Sequence, residues 1–210
     1  MKPLFVVFEG LDGSGTSTQA RLLASALTKI TGLGAKLTSE PSAGPVGQMI
    51  RSAMAGRLRL SAEKSNFDRQ MAYLFAADRN DHLYNDVDGV EKSLSEGKFV
   101  VSTRYFFSSF AYHCNHAEDW ELVRLLNCRF PNPAITIYLD VPVEISLQRL
   151  SARSHLDAYE NAAKLTAAKN NYAAFFSAYE GELLWLDGQN PEADIHDTVL
   201  RRVIETASEI

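Results

Sequence analysis

The sequence predicts an α/β fold: a doubly wound, five-stranded parallel sheet flanked by helices, with a short lid, in one domain spanning residues 1–210. Three observations predict it. Short apolar, β-rich runs alternate with stretches of helical spacing along the whole chain. A glycine-rich turn, Gly10–Thr18, joins the first apolar run to the first helix. A polar, arginine-rich segment at about residues 149–160 separates two helical stretches and suits a lid.

The elements follow in order. Leu4–Glu9 is a short apolar run of the kind that forms a buried parallel strand. Ser17–Ile30 carries Ala20, Leu23, Leu27 and Ile30 on one helical face. Ala35–Ser39 reads as the second strand, and Glu40-Pro41-Ser42-Ala43-Gly44 leads from it into a helix containing Arg51. Pro41 stiffens that loop, and Gly44 and Gly47 let it turn. Ser65–Asp81 reads as a helix and Phe99–Thr103 as the third strand. Helix Trp120–Phe130, strand Ala134–Asp140, helices Val143–Leu150 and Glu160–Tyr179, strand Leu183–Asp187 and helix Ile195–Ala207 complete the pattern. In such a sheet, ligands bind beyond the carboxyl ends of the strands. Each unusual polar cluster here follows a strand.

Gly10-Leu11-Asp12-Gly13-Ser14-Gly15-Thr16-Ser17-Thr18 matches the phosphate-binding pattern G-x-x-x-x-G-K-[ST], except that Thr16 stands where the lysine belongs. Its glycines permit positive φ and close approach of the backbone, and the helix that follows offers a positive N-terminus to an anion. Ser17 would give its hydroxyl to a magnesium ion. The plain alternative is a tight strand-to-helix turn that happens to be rich in glycine.

Other clusters are open to two readings when taken singly. Arg51 could reach an anion or be a solvated helix charge. Phe75 and Arg79, four apart, share a helix face and could hold a flat base, or be a core ring beside a surface charge. Arg104 at a strand end is placed for phosphate, Tyr112 could face a sugar, and the aromatic run around them could be core. Arg149 and Arg153 lie four apart, with Asp157 and Glu160 in capping position for the next helix.

Composition bounds the partners. Apolar residues make up 46% and charged residues 22%, with a net charge of −5, which argues against a broad grip on nucleic acid. Cys114 and Cys128 lack metal-ligand spacing and read as reduced thiols. No run reaches membrane-spanning length, and the expected location is the cytoplasm.

In order and spacing, these motifs resemble the thymidylate kinase family over essentially the whole chain. The matching segments are Phe5–Gly10, Gly10–Thr18 with Gln19, Glu40-Pro41 with Gly47 and Ile50-Arg51, Leu74–Arg79, Arg104-Tyr105 with Ser108 and Tyr112, Tyr138–Pro142, and Arg153 with Asp157 and Glu160. The resemblance implies transfer of a phosphoryl group from ATP to dTMP with Mg²⁺, in a homodimer. It implies that Gly10, Asp12, Gly13, Ser14, Gly15, Thr16, Ser17, Thr18 and Arg149 surround ATP, with Ser17 and Asp12 toward the metal. Phe75 would stack on thymine, Arg79 would bond a ring carbonyl, and Pro41 would approach the methyl group. Arg51 and Arg104 would hold the acceptor phosphate, and Ser108 would border the same pocket. Tyr112 would disfavour a 2′-hydroxyl, Asp12 would sit between the substrates, and Arg153 would reach the transferred phosphoryl. Asp12, Arg104 and Arg153 are thus the expected catalytic groups.

The chain departs from the family at Thr16, where lysine is usual, at Thr103, where aspartate is usual, and at Ser39, where arginine is usual. If a lysine and an aspartate neutralise each other in relatives, losing both leaves no unpaired buried charge. The departures keep two other readings open: a nucleotide-binding protein without turnover, and a kinase for another or modified deoxynucleoside monophosphate.

Overall fold

The structure, a computed structural model, describes residues 1–151 and 161–209. The order of elements is β1 (Phe5–Gly10), α1 (Thr16–Thr31), β2 (Ala35–Ser39), α2 (Pro45–Met54), α3 (Lys64–Tyr84), α4 (Val90–Ser95), β3 (Phe99–Thr103), α5 (Phe106–His113), α6 (Ala117–Asn127), β4 (Ile135–Asp140), α7 (Val143–Ser151), α8 (Ala162–Phe176), β5 (Leu183–Asp187) and α9 (Glu192–Glu209). The five strands pair in parallel in the order β2-β3-β1-β4-β5. This is the expected doubly wound α/β sheet.

Successive side chains of a strand point to opposite faces, so the central strand feeds two cores. Leu4, Val6 and Phe8 pack with Ala20, Leu23 and Leu27 of α1 and with Val199 and Val203 of α9. Phe5 and Val7 belong to the opposite layer, with Met71 of α3, Phe107 of α5 and Tyr172 of α8. All six residues of β1 are buried.

Strand register aligns the chemistry. Phe8 pairs with Thr103, and Thr103 pairs with Ser39. The residues that follow these three, namely Glu9, Arg104 and Glu40, therefore leave the same edge of the sheet side by side.

Helix boundaries shift where caps decide them. The helix expected from Trp120 starts at Ala117, because the Asp119 carboxylate accepts the His116 N–H at 2.9 Å and closes a capping box. Helix α8 starts at Ala162, capped by the Asn161 side chain, which accepts the Lys164 N–H at 3.0 Å. Helices α4 and α5 add to those the spacing predicts. Helix α5 has no one-sided apolar stripe, because seven of its eight residues are buried.

Cys114 is buried and Cys128 exposed, both as free thiols. Among the described residues, no helix is long and apolar enough to cross a membrane.

Candidate active site

The glycine loop after β1 holds the left-handed geometry the sequence asks for. Gly10, Gly13 and Gly15 have φ of 155°, 84° and 100°. At Gly13 a Cβ would stand 2.9 Å from the Ser146 carbonyl oxygen, so both conformation and contact demand glycine. The Ser14 N–H is spent on the Leu11 carbonyl, and those of Thr18 and Gln19 on Gly15. The N–H groups of Gly13, Gly15, Thr16 and Ser17 donate to no acceptor among the described residues. Several free donors at a helix N-terminus form a cradle for an anion.

A cavity of about 340 Å³ opens beside this cradle, lined by Gly13, Ser14, Gly15, Thr18 and Arg149. Arg149 braces the loop from outside, donating to the carbonyls of Gly13 (3.2 Å), Ser14 (3.4 Å) and Gly188 (3.3 Å). Thr16 and Ser17 begin α1, and Ser17 is exposed. The hydroxyls of Thr16 and Thr103 make no hydrogen bond to each other among the described residues.

A second cavity, of about 180 Å³, lies across β1 from the first. It is lined by Asp12, Pro41, Phe75, Arg104, Ser108 and Tyr112, with Glu40, Met54, Ser109 and His113. Its centre is Arg104. The backbone there is left-handed, with φ of 69°, and its N–H donates to the Phe8 carbonyl at 2.8 Å. Its guanidinium donates to Asp12 Oδ1 at 2.5 Å and to Ser108 Oγ at 3.0 Å, and lies 5.0 Å from the Tyr112 ring centroid. The Tyr112 hydroxyl donates to Asp12 Oδ2 at 3.1 Å. Burial opposes the charge on Arg104, but Asp12 and its neighbours outweigh that and hold the guanidinium protonated. Phe75 packs against His113 at 5.2 Å between ring centroids. Burial pushes His113 down to about 3, so its ring is neutral.

Two expected residues stand outside this lining. Arg79 is fully buried behind the wall. Its Nε and Nη2 donate to Glu40 Oε2 at 2.9 and 2.6 Å, its Nη1 to Asn127 Oδ1 and its Nη2 also to Ser109 Oγ at 3.2 Å. Four of the five N–H groups of this guanidinium are thus spent on protein, and the second N–H of Nη1 meets no acceptor among the described residues. Its neighbour Asp78 accepts the Ser42 N–H at 2.7 Å and the Ser42 hydroxyl at 2.6 Å. Asp78 and Arg79 together fasten the loop after β2 onto α3 and so position Pro41. Arg51 donates to the carbonyls of Ser42 and Pro41, against the back of the same loop. Arg153, Asp157 and Glu160 lie outside the described residues.

The sequence reading missed Glu9 as a site residue. This fully buried carboxyl accepts the Tyr105 N–H, the Ser108 hydroxyl and the Tyr172 hydroxyl, each at 2.7 Å. A glutamate closing a run of Phe5-Val6-Val7-Phe8 was the available signal. Burial raises it to about 7, against the opposing pull of Arg104 and its hydrogen bonds. The folded state therefore holds this proton more tightly than the unfolded chain does. Its stabilising share is present below the ordinary glutamate value of 4.5 and is lost as pH rises through about 7. We expect the stability of the wild type relative to Glu9→Gln to fall by on the order of 3 kcal/mol between pH 4.5 and 7.5. Urea unfolding across that range measures it, and a pH-independent difference would show that Glu9 does not titrate there.

The geometry thus has two cavities, one with an anion cradle and one with an aromatic wall and a half-buried arginine, and the loop after β1 contributes Asp12 to the second and Gly13 to the first. Comparison with known proteins assigns it. The family model described as thymidylate kinase matches residues 8–199. The chain belongs to the thymidylate kinase family. A protein of Pyrococcus horikoshii named "Probable thymidylate kinase" is 33% identical over 204 residues, covering 97% of each chain. One of Thermococcus onnurineus with the same name is 35% identical over 208 residues, covering 95% of this chain and 97% of its own. One of Pyrobaculum aerophilum, also so named, is 34% identical over 202 residues, covering 95% and 97%. Family membership accounts for the shared parallel sheet and for the glycine loop at the carboxyl end of β1, and it identifies the chain as one of a family of nucleotide kinases.

Proposed function

We propose that this protein transfers the γ-phosphoryl group of ATP to dTMP, forming ADP and dTDP. An acceptor phosphate oxygen attacks the γ-phosphorus, and the bond to the β-phosphate oxygen breaks as ADP leaves. The observation that carries the reading is Arg104, paired with Asp12 in the second cavity, one residue before Gly13 of the first. A phosphate entering there finds a guanidinium already aimed and charged, which suits a reaction governed by positioning and charge.

The remaining roles follow from the chemistry of each group. The open N–H groups of the glycine loop receive the donor phosphates, and Arg149 lines their cavity. Thymine lies against Phe75 with its methyl group toward Pro41, and Tyr112 leaves no room for a 2′-hydroxyl. Arg51 supports Arg104 in holding the acceptor phosphate. The lid at about 149–160 brings Arg153 to the transferred phosphoryl. The protein acts as a cytoplasmic homodimer.

Magnesium fits the donor set. Ser17 and Asp12 offer oxygen, the ligand a hard cation takes, and Ser17 is exposed with its hydroxyl making no hydrogen bond among the described residues. Bound there with the phosphates, it would neutralise their charge.

Thr16 removes one charged hydrogen bond, worth about 1.5–3 kcal/mol, or roughly 10- to 150-fold in rate. An arginine reaching the transferred group is worth roughly 10³- to 10⁵-fold. On these magnitudes an arginine at the transferred group outweighs the missing loop lysine. Formation of dTDP from ATP, Mg²⁺ and dTMP tests the reading, with Arg153→Ala run in parallel. We expect turnover in the wild type and a loss of at least about 10³-fold in the variant. Bound dTMP with no dTDP would favour the non-catalytic reading that Thr16, Thr103 and Ser39 keep alive.

A further inference from the structure

Arg104 is held in a pose that its own backbone resists. A residue with a Cβ keeps φ of 69° only where its surroundings impose it. Three bonds do so. The Arg104 N–H donates to the Phe8 carbonyl at 2.8 Å, the Ser102 hydroxyl donates to the Arg104 carbonyl at 3.0 Å, and the next N–H, that of Tyr105, donates to Glu9 Oε1 at 2.7 Å. The other oxygen of the same carboxyl works at the far end of the side chain. Glu9 Oε2 accepts the protons of Ser108 and Tyr172, each at 2.7 Å. With those protons turned inward, both hydroxyls present oxygen lone pairs to Arg104, whose Nη1 donates to Ser108 Oγ at 3.0 Å and to the Tyr172 oxygen at 3.4 Å.

Glu9 itself does not face the cavity. It is fully buried and does not line the second cavity, so it acts on Arg104 through intermediaries. Its chemistry suits this task in either charge state. As a carboxylate it takes both hydroxyl protons. When protonated on Oε2 it closes a ring: Glu9 gives to Ser108, Ser108 gives to Tyr172 across 2.9 Å, and Tyr172 gives back to Glu9. In both states the two hydroxyl oxygens still accept from Arg104. An amide has no equivalent. If its oxygen keeps the Tyr105 N–H, its NH2 group faces two hydroxyls and leaves one of their protons aimed at the guanidinium. If it turns round, its NH2 group faces the Tyr105 N–H, donor against donor.

We propose that Glu9 is a positioning residue that holds Arg104 at both ends, its backbone through the Tyr105 N–H and its guanidinium through Ser108 and Tyr172, so that the charge points where the acceptor phosphate binds. This deepens the proposed function and rests on its assignment of the acceptor phosphate to Arg104. One buried carboxyl thereby ties strand β1 to helices α5 and α8 around a single guanidinium. A phosphate is recognised by donors in fixed geometry, so a guanidinium free to swing gives up affinity even though its charge remains. The base, which lies against Phe75 in that reading, does not depend on Glu9.

Binding keeps the test apart from turnover. Dissociation constants for dTMP and for thymidine, the same ligand without its phosphate, are measured by titration calorimetry without ATP. The proteins are the wild type, Glu9→Gln, Tyr172→Phe, Arg104→Ala and the double variant Glu9→Gln with Arg104→Ala. We expect the wild-type preference for dTMP over thymidine to shrink by at least about tenfold in Glu9→Gln, the value of one hydrogen bond to a charged group, with thymidine affinity unchanged. Tyr172→Phe, which keeps the ring and the carboxyl, should shrink it in the same direction by less, and it decides the matter where Glu9→Gln does not fold. In the Arg104→Ala background Glu9→Gln should shrink it no further, because the residue through which Glu9 acts is gone. Equal weakening of dTMP and thymidine, as a general loss of structure would give, overturns the assignment. So does an unchanged preference in the variants, or a shrinkage by Glu9→Gln that persists without Arg104. A wild type that binds thymidine as tightly as dTMP overturns the placement of the acceptor phosphate, and this proposal with it. The expected ratios with no dTDP formed overturn the kinase reading alone and leave Glu9 as the residue that aims Arg104.

Discussion

Arg104→Ala is expected to lower kcat/KM for dTMP by roughly 30- to 5,000-fold. The estimate comes from truncating one partner of a hydrogen-bonded charge pair, which costs about 2–5 kcal/mol. Two losses combine: the acceptor phosphate loses its guanidinium, and Asp12 loses the partner that orients it at 2.5 Å. Folding should suffer far less. Asp12 keeps 26% of its side chain exposed, so water can solvate the carboxylate once the arginine is gone. Arg104→Gly separates chemistry from backbone. A residue with a Cβ at φ of 69° is strained by roughly 1–2 kcal/mol, and glycine is not. The glycine variant should therefore be as inactive as the alanine variant yet unfold at a higher temperature. If either variant kept near wild-type kcat/KM, the second cavity would not be where the acceptor phosphate is held.

Arg79→Met is expected to cost about 3–5 kcal/mol of stability by leaving Glu40 buried and unpaired. Both side chains of this pair are 1% exposed, so no water can replace the lost partner. For a chain of this size the melting temperature should drop by roughly 6–20 °C. The double variant Arg79→Met with Glu40→Gln should recover part of that loss, because it removes the isolated charge as well as its partner. Thermal unfolding of the two single variants and the double variant measures the coupling. Strict additivity, or a loss below about 1 kcal/mol for Arg79→Met, would mean that the pair does not carry the loop after β2. Pro41 is held in the acceptor wall by that loop, so dTMP affinity should fall along with stability.

Much of this architecture was legible in the sequence because its signals are local. The five apolar runs marked their strands to within a residue, and the glycine loop marked the turn between β1 and α1. Six expected acceptor residues, at positions 12, 41, 75, 104, 108 and 112, do line one cavity, because parallel strands deliver their carboxyl-end loops to one edge. What stayed hidden depends on pairs distant in the chain. Phe75 and Arg79 share a helix face, but only the fold reveals that Glu40, 39 residues upstream, takes the arginine's fork. The role of Glu9 needs Ser108 of α5, Tyr105 just before that helix and Tyr172 of α8, all far along the chain. Helix α5 escaped detection because burial on every side erases the periodicity that betrays a helix.

The strand order has a consequence for how such an enzyme can change. Residues of the cavity proposed for the acceptor come from the β2 and β3 side of the sheet, while Leu139, Gly188 and Ile195 bring the cavity proposed for the donor to the β4 and β5 side. Among the described residues, the loop after β1 serves both. Substitutions in the cavity proposed for the base are thereby insulated from the cavity proposed for the donor phosphates, and drift at Thr16 is insulated from the former. The two halves can accumulate mutations on separate schedules, and the central strand alone, buried along its whole length, must satisfy both histories at once.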